Sequence, residues 1–418
     1  MKFRASASFA EQLDKKDPLK KFRKYFHFPE RSGKKAIYFC GNSLGLQPKA
    51  VGKAVKQELK DWKHLAVAGY FAAKNPWLFY QDNFKQPLSK IMGCRQEEIT
   101  VMNALTVNLH LLLLSFYKPK DGRFKIIMEA GAFPSDQYAV ETQVKFHSLN
   151  PHEAIVELFP RKGEKTLRTE DILQMIETNK DNLALVLLGG INYYTGQLYD
   201  IKAITAATHA AGAIAGYDLA HVAGNVPMEL HNWNADFAVW CSYKYLNAGP
   251  GAVSGVYIHA KYANDKNYNR MGGWWGNAEK TRFKMEKGFK PKAGAAGWQL
   301  STAQVLNMVA LKASLELFEK AGIKNLHKKS ILLTGYLEFL LQQLSNVKFE
   351  IITPADPRQR GAQLSLYFKK DAKTIHQKLT DNGVIADYRE PGVIRVAPAP
   401  LYNSFKEVYR FYEILKSC

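Results

Sequence analysis

The chain has 418 residues, 46% of them hydrophobic and 23% charged, and 58 lysines and arginines against 38 aspartates and glutamates give it a formal net charge of +20. That length and apolar share suit a globular protein of about two or three domains and exclude a disordered or low-complexity chain. The most apolar run, residues 109–116, is broken by His110 and Ser115 and falls well short of the ~20 residues of a membrane-spanning helix, so no membrane partner is expected.

The amino terminus carries Lys15, Lys16, Lys20, Lys21, Arg23 and Lys24 but lacks the continuous apolar core of a secretory signal, and the expected location is the cytoplasm. The other basic residues lie on helices beside acids, as in Glu316-Leu-Phe-Glu-Lys320. No helix-turn-helix, zinc-finger or RNA-binding aromatic pattern accompanies them, so the charge predicts a solvated basic surface and no nucleic-acid partner. Cys40, Cys94, Cys241 and Cys418 form no C-x-x-C pair, and His152-Glu153 lacks the second histidine of a zincin helix. A reduced compartment and no metal site follow.

In chain order, residues 1 to about 35 read as a helix and connector packed across another element. Residues 37–40 read as a short strand entering Gly41-Asn-Ser-Leu-Gly-Leu46, a tight loop suited to lining a cavity, with Ser43 at its centre. Pro48 opens a helix to about Trp62, as proline is tolerated in a first turn. Residues 100–108 precede an apolar helix over 109–117, with Asn103 and Thr106 near its start. Free amides there favour an anion such as a phosphate, bound near Leu105 and the Thr106 hydroxyl, or else an ordinary cap.

Residues 124–129 read as a strand, and Gly131-Ala-Phe-Pro-Ser-Asp136 turns into a helix around 138–144. Phe133 can stack on a planar ring or fill core. Residues 183–188 are an uninterrupted apolar run of the kind that forms a buried parallel strand. Asp200 caps the next helix and Gly212 ends it, and a strand over 213–217 runs into Asp218-Leu-Ala-His221. This alternation predicts an α/β fold with a mostly parallel sheet covered by helices.

Asp218 lies at a strand's carboxyl end, where open α/β sheets bind ligands. The next strand, 237–240, is followed by Lys244 and a return through Gly249, Pro250, Gly251 and Gly255 into a strand over 253–258. A lysine at the mouth of a buried strand is desolvated, which favours a neutral amine able to form a Schiff base with an aldehyde. Pyridoxal phosphate needs such a lysine and a carboxylate that keeps its ring nitrogen protonated. Alone, Asp218 could be a turn acid, His221 a core imidazole and Lys244 a solvent-facing strand end. Their like placement after successive strands points to the cofactor.

Gly272-Gly-Trp-Trp-Gly276 places two aromatics among glycines and reads as a binding loop. A helix then runs to Gly322 and another from about Leu326 to Leu344. Strands over 349–352, 363–368 and 392–396, a helix over 372–381 and a final helix complete a small α+β domain. The division is an arm with the glycine loop over 1–50, a large domain over 51–300 and a small one over 301–418. Arg395, in the last strand, can grip a carboxylate through two parallel hydrogen bonds or stand as a surface residue.

Taken together, Cys40-Gly-Asn-Ser-Leu-Gly-Leu-Gln-Pro-Lys49, Met102-Asn-Ala-Leu-Thr-Val-Asn108, Phe133-Pro-Ser-Asp136, Tyr217-Asp-Leu-Ala-His221, Ser242-Tyr-Lys-Tyr-Leu-Asn-Ala-Gly249 and Ile394-Arg-Val-Ala-Pro-Ala-Pro-Leu-Tyr-Asn-Ser404 resemble the kynureninase family. The resemblance spans nearly the whole chain. It implies pyridoxal-phosphate fold type I, with a seven-stranded sheet in the large domain and a smaller C-terminal domain. It also implies a homodimer with shared active sites, which cleaves L-kynurenine to anthranilate and L-alanine, or the 3-hydroxy substrate correspondingly, in tryptophan degradation and NAD biosynthesis.

By that resemblance Lys244 carries the cofactor, Asp218 faces its ring nitrogen, Phe133 stacks on its ring, and Leu105, Thr106 and Tyr243 hold its phosphate. Pro134, Ser135, Asp136 and His221 complete the pocket, and Trp274 reaches in from the partner; Tyr243, beside Lys244 and the phosphate, is in addition a candidate proton carrier. Arg395 takes the substrate carboxylate, with Ser43, Tyr70 and Thr302 also on the substrate side. Three positions depart from common family residues: Tyr70 and Thr302 stand where histidine and asparagine are frequent, and Gly189 where some members have a cofactor-contacting serine. The first two leave the ring-substituent preference open. Within the same fold type, an aminotransferase or a cysteine desulfurase is the competing expectation, but Cys241, just before the lysine and buried, is poorly placed for a mobile nucleophile.

Overall fold

The apolar runs between Ile99 and Ile258 assemble into one seven-stranded sheet in the computed structural model, which describes residues 2–265 and 268–418. Its strands are β1 (Ile99–Met102), β2 (Lys125–Glu129), β3 (Ile155–Leu158), β4 (Leu183–Gly189), β5 (Ile214–Asp218), β6 (Phe237–Trp240) and β7 (Ser254–Ile258). Their spatial order is β1-β7-β6-β5-β4-β2-β3, and β7 alone runs against the rest. The mostly parallel sheet expected from the alternation is present.

The apolar run of β4 is explained by cover on both faces. Leu185 and Leu187 pack in one core with Leu109, Leu113 and Val140, from the helices Leu105–Phe116 and Pro134–Phe146. Val186 and Leu188 pack in another with Ile172, Ile201 and Ile204. Each such side chain contributes about 1.5–3 kcal/mol by leaving water. Asp200 caps the helix Ile201–Ala210, its carboxylate accepting from the Ala203 amide at 3.0 Å. The helix expected over 109–117 starts at Leu105, so Leu105 and Thr106 occupy its first turn.

A second core lies at the C-terminal end. Strands β8 (Glu350–Ile351), β9 (Leu364–Tyr367), β10 (Asp387–Arg389) and β11 (Val393–Val396) form an antiparallel sheet in the order β8-β9-β11-β10. Leu364, Leu366, Ile394 and Val396 are buried there with Leu337, Leu340, Val408 and Phe411 from the helices Ile323–Leu341 and Phe405–Lys416. The amino-terminal helix Ala7–Lys16 joins this core through Ala10 and Leu13, and Asp14 accepts from the Phe405 amide at 2.7 Å. The short strand Ile37–Tyr38 pairs with Val384–Ile385 in a separate two-stranded sheet, which ties the glycine loop to the C-terminal part of the chain. Among the described residues no helix is long and apolar enough to cross a membrane.

Candidate active site

The carboxyl ends of β2, β4, β5 and β6 open into one cavity. Asp218 is the last residue of β5, buried, with its carboxylate accepting from the Ala220 amide at 2.7 Å. Lys244 lies in the turn after β6, whose carbonyl at 244 accepts from the Asn247 amide at 3.0 Å. The glycine loop braces that turn: the Gly45 amide donates to the Tyr243 carbonyl at 2.8 Å, and a Cβ on Gly45 would stand 2.4 Å from the Lys244 carbonyl oxygen. Only glycine permits so close an approach.

Lys244 Nζ lies 3.0 Å from His221 Nε2 and 5.7 Å from the centre of the Phe133 ring. Burial drives the His221 imidazole well below its ordinary pKa, helped by Lys244 and Arg395, so it stays neutral. Its Nε2 faces the amine, and its Nδ1 is buried with no hydrogen-bond partner. Burial also pushes both Asp136 and Asp218 up. The charge of Asp218 and a hydrogen bond with it push Asp136 further up, while Lys244 and the Ala220 amide pull Asp218 back down. Burial raises the Tyr243 phenol, which faces the Cys241 thiol, so the hydroxyl keeps its proton at neutral pH.

In the same cavity, Thr106 Oγ1 and Ser135 Oγ stand 2.6 Å apart. No side chain caps the helix Leu105–Phe116, and its first-turn amides have no partner within the helix, which makes an anion seat. Phe133, Asp136 and Gly189 also line the cavity, whereas Pro134 opens the helix Pro134–Phe146 outside it. Two orphaned polar atoms, Asp136 Oδ1 and His221 Nδ1, are buried without a hydrogen bond. A flat aromatic cation bearing polar substituents and a phosphate fits this set: an acid pair, a ring to stack on, an amine and an anion seat.

Arg395 sits at the edge of the site with only 1% of its side chain exposed. It donates to the Tyr193 carbonyl at 2.7 Å and to Ser43 Oγ at 3.2 Å, and forms an ion pair with Asp387, its cross-strand partner on β10. Burial pushes the Asp387 carboxyl up, but Arg395, the Ser43 hydroxyl and Arg389 together hold it below the usual range. Besides Pro134, and Arg395 and Ser43 at its edge, three more predicted residues lie outside the cavity. Tyr70 packs edge-on against Trp77 at 5.7 Å, Trp274 is exposed and donates to the Arg282 carbonyl at 3.0 Å, and Thr302 is half-buried ahead of the helix Val305–Ala321.

Sequence reasoning missed Glu129, Tyr193 and Asp387. Glu129 ends β2 as Asp218 ends β5, so an acid at a strand's carboxyl end was the available signal. Tyr193 packs edge-on to Phe133 at 5.3 Å and holds Arg395 through its carbonyl, a backbone role that no side-chain pattern announces.

Solved structures share this architecture. The chain superposes on the cysteine desulfurase CsdA from Escherichia coli with a TM-score of 0.77 at 17% identity, over 96% of this chain and 98% of that one. A cysteine desulfurase from Thermococcus onnurineus gives 0.73 at 17% identity over 97% of each chain. The fold is therefore that of fold type I, a large doubly wound domain with a small C-terminal one. Sequence relatives are nearer. Kynureninase from Flavobacterium psychrophilum is 52% identical over 100% of this chain and 99% of its own. That from Myxococcus xanthus is 52% identical over 99% and 97%, and that from Nematostella vectensis 44% over 99% and 94%. The model of the kynureninase C-terminal domain matches residues 326–415. The chain belongs to the kynureninase family.

Proposed function

We propose that this chain hydrolyses L-kynurenine to anthranilate and L-alanine, or the 3-hydroxy form to 3-hydroxyanthranilate and L-alanine, with pyridoxal phosphate held at Lys244. The observation that carries this reading is the convergence of Lys244, Asp218, Phe133 and Thr106 in one cavity. When bound, the cofactor supplies an aldehyde for amines and a protonated ring that withdraws electrons from the substrate's carbons.

The residues of the chain do the rest. Asp218 would pair with the ring nitrogen, with Asp136 hydrogen-bonded beside it. Phe133 would stack on the ring, and Thr106, Ser135 and the amides at 105–106 would hold the phosphate. Lys244 Nζ is the base for the substrate α-proton, next to a neutral His221 that can take a hydrogen bond from it. Tyr243, which lines the cavity and keeps its phenolic proton, would give that proton up to the substrate and take it back. Arg395 receives the substrate carboxylate by exchanging the Asp387 and Ser43 contacts for it.

The working unit in this reading is a homodimer. Trp274, Phe283, Met285, Val67 and Phe71 are exposed large apolar side chains, of a kind that soluble monomers cover. Tyr70 and Trp274 lie in those same segments, so each would serve the partner's substrate, with Thr302 on the ring side. The cytoplasm is the proposed location, consistent with four free cysteines. The test is incubation of reconstituted protein with kynurenine alone. Equal amounts of anthranilate and alanine without any keto acid support hydrolysis; products that require a keto acid would make it a transaminase.

A further inference from the structure

Glu129 takes no part in the roles above, yet it lines the same cavity and is 4% exposed. The Gly189 amide donates to Glu129 Oε2 at 3.0 Å, and a Cβ on residue 189 would meet Glu129 Oε1 at 3.0 Å. The acid therefore fills the space that a side chain at 189 would need. Glu129 faces Asp218 on β5, Asp136 on the helix Pro134–Phe146, the Asn192 side chain, which donates to it, and the Tyr199 hydroxyl group. It also lines a second cavity bounded by Lys165, Asn192, Gln197 and Tyr199, which gives it a polar route away from the cofactor side.

We propose that Glu129 is a positioning residue of the cofactor site: its carboxyl occupies the place left by Gly189 and stands behind Asp218, so that its charge sets how strongly Asp218 draws on the cofactor's ring nitrogen. Burial, with the Asp218 charge added, raises Glu129 to about 8 despite the hydrogen bonds from Gly189 and Asn192. At neutral pH this part of the cavity thus carries the charge of the Asp136–Asp218 pair alone, and ionisation of Glu129 adds a further negative charge behind it. That charge favours the cationic form of any group bound above Asp218.

The inference rests on the pyridoxal-phosphate reading, and the test separates the two. Reconstituted parent protein, Glu129→Gln and Glu129→Asp are titrated from about pH 6 to about 10 while the visible band of bound cofactor is followed. Below pH 7 the parent and the Gln variant should coincide. Above about 8 the parent should keep its low-pH band to a pH roughly 0.5–1 unit higher than the Gln variant, and Glu129→Asp should restore part of that difference. Coincidence over the whole range, or a constant offset, would overturn the proposal; a parent protein with no band at all would remove the cofactor reading beneath it.

Melting of the apoproteins supplies a readout that needs no cofactor. A carboxyl raised from 4.5 to about 8 keeps its proton in the folded chain after the unfolded chain has lost it, so the parent loses stability as pH rises through that window. The Gln variant, neutral throughout, should gain on the parent by several degrees across the window and by no more above it. A gap independent of pH would mean that Glu129 is only a hydrogen-bond acceptor.

Discussion

Replacing Asp236 by asparagine tests whether the spacing of the two strands that carry Asp218 and Lys244 depends on one buried charge. Asp236 precedes β6 and is fully buried. Its Oδ2 accepts from the Ala215 amide at 2.7 Å and His209 Nε2 at 2.8 Å, and its Oδ1 from Tyr262 Oη at 2.6 Å and Lys261 Nζ at 2.5 Å. The carboxylate thus ties the start of β5, the end of the helix Ile201–Ala210 and the turn after β7 to the start of β6. An asparagine must turn its NH2 toward one of those two pairs of donors. Breaking a buried ion pair costs about 3–5 kcal/mol. His209 and Lys261 keep about a third of their side chains in water, which places the cost near ~3 kcal/mol. An unfolding entropy of ~2.1 cal/mol/K per residue amounts to roughly 0.9 kcal/mol/K for this chain, so Tm should fall by roughly 3 °C.

The pH dependence gives the same prediction a sign. Burial pushes Asp236 up, but His209, Lys261 and the Ala215 amide hold its carboxyl below 3.8 in the folded chain. Its contribution is therefore full above pH 3.8 and lost as pH falls through the folded pKa. Thermal unfolding followed by circular dichroism, from neutral pH down to about pH 3, should show the parent's lead over Asp236→Asn narrowing at the acid end. A variant that melts within about 1 °C of the parent at neutral pH, or a lead that does not narrow in acid, would refute the argument.

Three further outcomes follow from the site. Thr106→Ala and Ser135→Ala each remove one hydroxyl from the anion seat and should weaken cofactor binding about 5- to 30-fold, measured by absorbance titration of apoprotein; unchanged affinity would move the phosphate elsewhere. Tyr243→Phe should lower kcat for kynurenine by ~10²-fold or more with KM little changed, and unaltered turnover would remove the phenol from the proton path. Asp387→Asn takes away the carboxylate that competes with substrate for Arg395, so KM should fall by up to about tenfold, while a rise in KM would mean that Asp387 mainly orients the arginine.

The sequence announces the parts of this protein whose identity is set by their own neighbours in the chain. The β4 run, the Asp200 cap and the strands leading to Asp218 and Lys244 carry local signals, and the structure places those elements where the alternation expects them. What is unreadable depends on cross-chain geometry. β10, Asp387–Arg389, is short, charged and at a sheet edge, and shows no apolar alternation. The pairing of Asp387 with Arg395 exists only through the register of that edge. Glu129 resembles any acid before a turn until Gly189 is seen to make room for it. The helix expected from about Leu326 begins at Ile323, because Gly322, at φ +76°, breaks the backbone directly before it.

The account's central claim is that one amine, Lys244 Nζ, bonds to the cofactor's aldehyde. Borohydride reduction of the reconstituted protein, followed by proteolysis and mass spectrometry of the peptides, tests it most directly. The account predicts a reduced pyridoxyl phosphate group on the peptide containing Lys244, absent from Lys244→Ala. A label on a different lysine, or full labelling that survives the Lys244→Ala substitution, would contradict it.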